Sequence, residues 1–174
     1  MIRNLLTAGF LIILSLVIVQ PLSAIPVSGP VVITSAGTYQ LQHDITGDSV
    51  NTIIEIRSSG VLFDGMGHTI NGVNGTTQFT NNIFVGNFPR VLRNVNIRNV
   101  TLTNRSHGIF FNNVTDSRAT GCIVDRSGED GIRVVGGNRI VLTKNTVKRS
   151  ALRAVTVSKS FNTTISSSII ANNR

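Results

Sequence analysis

Along this chain apolar and polar residues recur at one spacing. Three stretches align beneath one another: NIRNVTLTNRSHGIFFNNVT (96–115), RATGCIVDRSGEDGIRVVGGN (118–138) and VLTKNTVKRSALRAVTVSKSF (141–161). A fourth opens as TISSSIIANN (164–173), and the period is 22 to 23 residues. Ile97, Ala119, Leu142 and Ile165 form one apolar column, and Leu102, Val124, Val147 and Ile170 a second. Ile109, Ile132 and Val155 form a third, Phe111, Val134 and Val157 a fourth, and Gly108, Gly131 and Ala154 a column of small residues. Over short spans, as in Ile132-Arg133-Val134, the pattern alternates with the strand period of two. No helical stripe at three and four persists across a repeat. The pattern therefore predicts an all-β fold, a single-stranded parallel β-helix. Each coil supplies two or three short strands, and coils stack about 4.8 Å apart through parallel ladders. A leucine-rich repeat is excluded because its Leu-x-x-Leu-x-Leu pattern is missing.

Upstream, Phe63 and Ile70 match the first two columns, and Ile83 and Val85 match the last two. Residues 61–174 thus read as coils, with Gly72–Asn82 looped out of one of them. Residues 25–60 read as an N-terminal cap and first strands that cover the open end of the stack, where unpaired ladder groups would invite aggregation. The opening 24 residues read differently. Arg3, the apolar run from Leu5 to Val19 and the small residues before Ile25 predict a secretory signal peptide cut after Ala24. The run is short for a membrane span, so an uncleaved anchor is the lesser reading. Ile25, where a lipoprotein would carry cysteine, excludes lipid anchoring at that point. The sequence stops in mid-coil at Arg174. That predicts a truncated member of a longer kind of protein, with an open end able to pair end to end with another chain.

Composition narrows this picture. Cys122 is the only cysteine, so no internal disulfide forms and stability must come from regular packing. The formal charge is +8 and the pI about 11.3. From Arg90 onward the only acids are Asp116, Asp125, Glu129 and Asp130. A basic surface on an exported protein suits polyanionic partners such as acidic surface polysaccharides, or simply a solvated face. Nucleic acid fits poorly, because no stacking aromatics interleave with the basic residues.

The segments SAGTYQLQHDIT with Tyr39, IEIRSSGVLFDGMGHTING, NVNIRNVTLTN and GIFFNNVT carry a resemblance. The chain resembles right-handed parallel β-helix proteins, specifically the NosD-like, carbohydrate-binding and sugar-hydrolase branch of the pectin-lyase-like superfamily. The resemblance covers residues 31–174 and implies the right-handed fold and an exported or surface protein. It does not imply one activity, since the scaffold carries enzymes, adhesins and structural proteins.

Four groups of residues invite chemistry. In VLFDGMGHTINGV (61–73), Asp64 and the glycines Gly65 and Gly67 read as a structural turn, and His68 falls in the column of Val100, Cys122, Asn145 and Ser168, over which it is expected to pack. His107, Asp130 and Arg153 share a column, with Glu129 and Arg133 beside the middle one. A histidine, a carboxylate and guanidinium groups on one ridge could perform acid–base work on a glycan. A charged edge whose ions pair along the stack is the blander alternative. The resembling hydrolases set paired acids before a His-Gly motif, whereas here the order is reversed. Arg126, Lys148 and Arg149 form a basic ladder suited to a repeating anionic polymer. Five Asn-x-Ser/Thr sequons (Asn74, Asn99, Asn104, Asn113, Asn162) allow glycosylation, but Asn, Ser and Thr are so abundant that most would arise by chance. Scattered His and Met residues offer no metal ligand set, and no cofactor is expected. The expected function is an exported, non-enzymatic, glycan-binding or structural β-helix at the cell surface. The alternatives are a polysaccharide hydrolase or lyase of the same fold, or an inactive fragment of a longer surface protein.

Overall fold

The computed structural model describes residues 23–48, 50–73 and 79–173. Nearly all of the expected signal peptide, together with Asn74 and Arg174, lies outside the described residues.

The apolar columns become the interior of a three-sided coil. Short strands assemble into three parallel sheets, and each coil adds one strand to each sheet. The first sheet runs Gly37–Leu41, Val61–Asp64, Asn96–Arg98, Val114–Thr120, Asn138–Thr143 and Thr164–Ser166, with Ile25–Val27 beside its first strand and Leu92–Arg93 paired to Val114–Thr120. The second runs Ile45–Asp48, Thr69–Gly72, Thr101–Thr103, Ile123–Asp125, Thr146–Lys148 and Ile169–Ala171. The third runs Val31–Ile33, Thr52–Ile56, Asn81–Val85, His107–Asn112, Asp130–Val135 and Arg153–Ser158.

The register reproduces the columns residue by residue. Phe63 pairs with Ile97, Ile97 with Ala119, and Ala119 with Leu142. Ile70, Leu102, Val124 and Val147 follow in the second sheet, and Ile83, Ile109, Ile132 and Val155 in the third. Phe63, Ile97, Leu102, Ile109 and Phe111 are fully buried. Each large aliphatic or aromatic side chain so buried contributes about 1.5–3 kcal/mol relative to exposure. Residues 25–60 join the same stack: Tyr39 pairs with Phe63, Ile45 with Ile70 and Ile54 with Ile83.

The corners between sheets follow a rule the hydrophobic pattern does not display. Asn94, Asp116, Arg139 and Asn162 lie one above another in the left-handed region, as do Asn99, Gly121, Lys144 and Ser167. Asn104, Arg126, Arg149 and Asn172 form a third such column, and Asn113, Gly136 and Lys159 a fourth, with φ between 49° and 64° throughout. In the last three columns one left-handed residue turns the chain from one sheet into the next, whereas Asp116 and Arg139 bend strands within the first sheet. This conformation suits Asn and Gly and costs other L-residues about 1 kcal/mol or more. The four described sequon asparagines, Asn99, Asn104, Asn113 and Asn162, all take this left-handed conformation.

Inside the corners, polar side chains satisfy the backbone. Asn145 Oδ1 accepts from Cys122 N–H at 3.0 Å, while its Nδ2 donates to Ala119 O at 3.0 Å. Cys122 itself is buried, and burial pushes its thiol up to about 12.

Candidate functional site

The Asp64 corner is closed by its own hydrogen bonds. Asp64 Oδ1 accepts from Met66 N–H at 3.0 Å and from Asn99 Nδ2 at 3.4 Å, and Oδ2 accepts from Arg98 Nε at 2.8 Å. The left-handed residues are Met66 and Gly67 rather than Gly65 and Gly67. Gly65 is needed for space instead, since a Cβ there would run into Val100 Cβ and lie 2.5 Å from Asn99 O. The register sets His68 beside Val100, as its column predicts. Its side chain is half-buried, with Nδ1 3.3 Å from Asp44 Oδ1. An open cleft of about 510 Å³ lies beside this corner, lined by Asp64, Met66, Asn99, Thr101 and Ile123 among others. Every oxygen of Asp64 is already committed, so the cleft lacks a carboxylate free to act.

The third sheet gathers the His107 group. His107, Asp130 and Arg153 each open a strand, and the ladder registers Asp130 against Arg153 and the His107 strand beneath them. Asp130 N–H donates to His107 Nδ1 at 3.4 Å, so the neutral ring carries its proton on Nε2. That nitrogen lies 3.7 Å from Glu129 Oε2 and 3.5 Å from Arg133 Nη1. Arg153 Nε donates to Asp130 Oδ1 at 2.8 Å, and Arg133 Nη1 stands 3.9 Å from Asp130 Oδ2. The expected column is therefore real, but it is not an open ridge. His107 is 1% exposed and Asp130 0%. Burial holds the His107 pKa below the usual imidazole range; Glu129 opposes this and Arg133 adds to it. Hydrogen bonding to Asp130 raises the already high pKa of Arg153.

Two aromatic residues that the column reading passed over complete this face. Glu55, Phe84, Phe110, Arg133 and Thr156 lie in register along the outside of the third sheet. The Phe84 and Phe110 rings meet edge to face at 5.3 Å, and His107 meets Phe110 at 5.6 Å. The Arg133 guanidinium sits 5.2 Å from the Phe110 ring centroid. The signal in the sequence was the 26-residue offset from Phe84 to Phe110, which equals that from Ile83 to Ile109.

The basic ladder lies on another edge. Arg126 and Arg149 occupy corner positions, and Lys148 lies half-buried in register with Asp125. Arg149 Nε donates to Asp125 Oδ1 at 2.7 Å and its Nη2 bonds Oδ2, a bidentate pair that holds the Asp125 carboxyl below its ordinary range. Arg126 Nε donates to Asn104 Oδ1 at 3.3 Å, with Nη1 4.0 Å from Asp125 Oδ2. One carboxylate thus offsets part of a group of three cations. Among the described residues no three His, Cys, Asp or Glu side chains come together as a metal site would require.

Comparison with known proteins adds the following. No curated protein matches the chain. A crystal structure from Parabacteroides merdae, provisionally assigned as a glycosyl hydrolase, is similar at 13% identity and a TM-score of 0.42, covering 79% of this chain and 81% of that one. The family described as "Right handed beta helix region" matches residues 45–174. With three parallel sheets, stacked apolar columns and that match over most of its length, the chain belongs to the right-handed β-helix family.

Proposed function

We propose that this is an exported cell-surface β-helix that binds glycan without cleaving it. The observation that carries the reading is the state of its acid–base cluster. A general acid or base must come within about 2.6–3.2 Å of the atom it serves. His107 and Asp130 are sealed beneath Phe110, Arg133 and Glu129, and Asp130 is engaged by Arg153. Buried charge paired in this way serves the fold. Arg126, Lys148 and Arg149 supply the ionic contact for an acidic polymer, with Asp125 holding one of them in place.

The test uses chain 25–174 with a panel of neutral and acidic polysaccharides, following polymer and protein mass together by size-exclusion with light scattering. Co-elution with polymer of unchanged mass is the expected result. Shortening of any polymer, abolished by Asp130→Asn, would establish a hydrolase or lyase and overturn the reading.

A further inference from the structure

We propose that the outer face of the third sheet is a subsite for an uncharged sugar chain, with Phe84 and Phe110 as its stacking platform and Arg133 and Thr156 as its polar contacts. The inference rests on the glycan-binding reading and gives it a second site, distinct from the basic ladder and different in the chemistry it selects.

Four observations carry it. First, whereas Phe63 and Phe111, on the inner face, are sealed completely, Phe84 and Phe110 are only partly buried. They stand on adjacent coils of one outward row, so their separation along the axis is one coil rise. That rise, about 4.8 Å, is close to the length of one sugar unit in an extended chain, so successive units would meet successive rings, one by its face and the other by its edge, since the rings lie 79° apart. Second, Gly86 makes room for the platform. A Cβ at position 86 would lie 2.8 Å from Phe84 Cζ, so the Phe84 ring reaches down over the glycine.

Third, the charges on this face cancel. Arg133 and Arg153 stand against Glu129 and Asp130, all within one linked cluster. A balanced face has no net attraction for a polyanion, whereas apolar rings beside hydrogen-bonding groups suit the C–H faces and hydroxyls of a neutral sugar. Fourth, hydrogen-bonding capacity is left over here. Asp130 Oδ2, Arg133 Nε and Thr156 Oγ1 are buried atoms that make no hydrogen bond among the described residues. Buried polar groups are ordinarily paired, and an acceptor, a donor and a hydroxyl left over side by side mark a place where partners are missing. Arg133 is the movable part. Its side chain is 31% exposed, and swinging it outward from Phe110 would turn its own Nε toward a sugar hydroxyl while Asp130 stays engaged by Arg153.

The experiment is saturation-transfer NMR and calorimetry on the mature chain with cellohexaose, mannohexaose and polygalacturonate, each at low and high salt. The expected result is binding of a neutral oligosaccharide that salt does not weaken, with saturation passing from phenylalanine ring protons. Phe84→Ala and Phe110→Ala should each weaken it about tenfold or more, the scale of one lost stacking contact. Phe161→Ala, an exposed phenylalanine outside this row, should leave it unchanged. The melting temperature and circular dichroism of each variant show that it is folded. Neutral binding indifferent to both platform substitutions would overturn the subsite and leave the glycan reading standing. So would binding confined to polygalacturonate and abolished by salt. Binding of no sugar at all would overturn both.

Discussion

Replacing Gly131 by alanine tests the stacking on which the rest of the molecule depends. Gly131 faces inward, beneath Ala154 and above Gly108 in the small-residue column. An added methyl would run into Val147 Cγ1 and lie 2.6 Å from the carbonyl oxygen of Ala154 and 2.9 Å from Ser150 Oγ. The Val147 contact could be eased by a side-chain shift. The Ala154 oxygen cannot move as easily, because it belongs to the backbone of the strand stacked above, registered through Asp130–Arg153 and Ile132–Val155. Overpacking of this kind costs about 1–3 kcal/mol. The backbone φ of Gly131 is not left-handed, so alanine recovers about 0.4–1 kcal/mol of unfolded-state entropy. The net loss is about 1–2 kcal/mol, which for a chain of this size lowers the melting temperature by roughly 2–8 °C. Among the described residues the strand of Ala154, at the same column position, is the last of the third sheet, so Ala154→Gly should cost no more than about 1 kcal/mol. Thermal melts followed by circular dichroism give both values. A Gly131→Ala protein that melts at or above the wild-type temperature would refute the close approach of adjacent coils.

Stability should fall as pH drops below the ordinary histidine pKa. The folded pKa of His107 lies lower because of burial, so between the two values the unfolded chain binds the extra proton; urea midpoints at neutral and mildly acidic pH will show the slope, and His107→Gln should flatten it. Asp125→Asn frees Arg149 from its bidentate partner, so the variant should elute from a sulfated-polymer column at higher salt, and unchanged elution would exclude Arg149 from the ladder. Lys144 holds a left-handed corner with φ 55°; Lys144→Gly should be neutral or stabilising by about 0.5–1 kcal/mol, whereas Lys144→Val should destabilise by more than that in a urea titration. Cys122, with its thiol pushed to about 12, should resist alkylation at mildly alkaline pH until denaturant is added.

The coil was legible because stacking copies chemistry from one turn to the next. Once Ile97, Ala119 and Leu142 were set beneath one another, the ladder that joins them followed from strand geometry. The corners were harder to see. Arg126, Lys144 and Arg149 resemble solvated surface residues, and nothing in their side chains announces a positive φ. They were visible only through the Asn and Gly residues that share their columns. The seal over His107 and Asp130 was not legible either. It is made by Phe110 and Arg133, whose row the offsets place but whose reach across to the next row they do not show. Phe84 falls between the apolar columns of Ile83 and Val85, and Phe110 between those of Ile109 and Phe111, so a search for inward columns passes over them.

In a stack of this kind each coil touches only its neighbours, so unravelling from a terminus can proceed one coil at a time. The ion cluster on the third sheet interrupts that sequence, because His107, Asp130 and Arg153 come from three successive coils and are fastened to one another by side chains as well as by ladders. It works as a rivet. Fraying that starts beyond Arg153 must uncover a buried carboxylate before it reaches His107, and this barrier would appear as a step in amide hydrogen exchange between the last coil and the one beneath it.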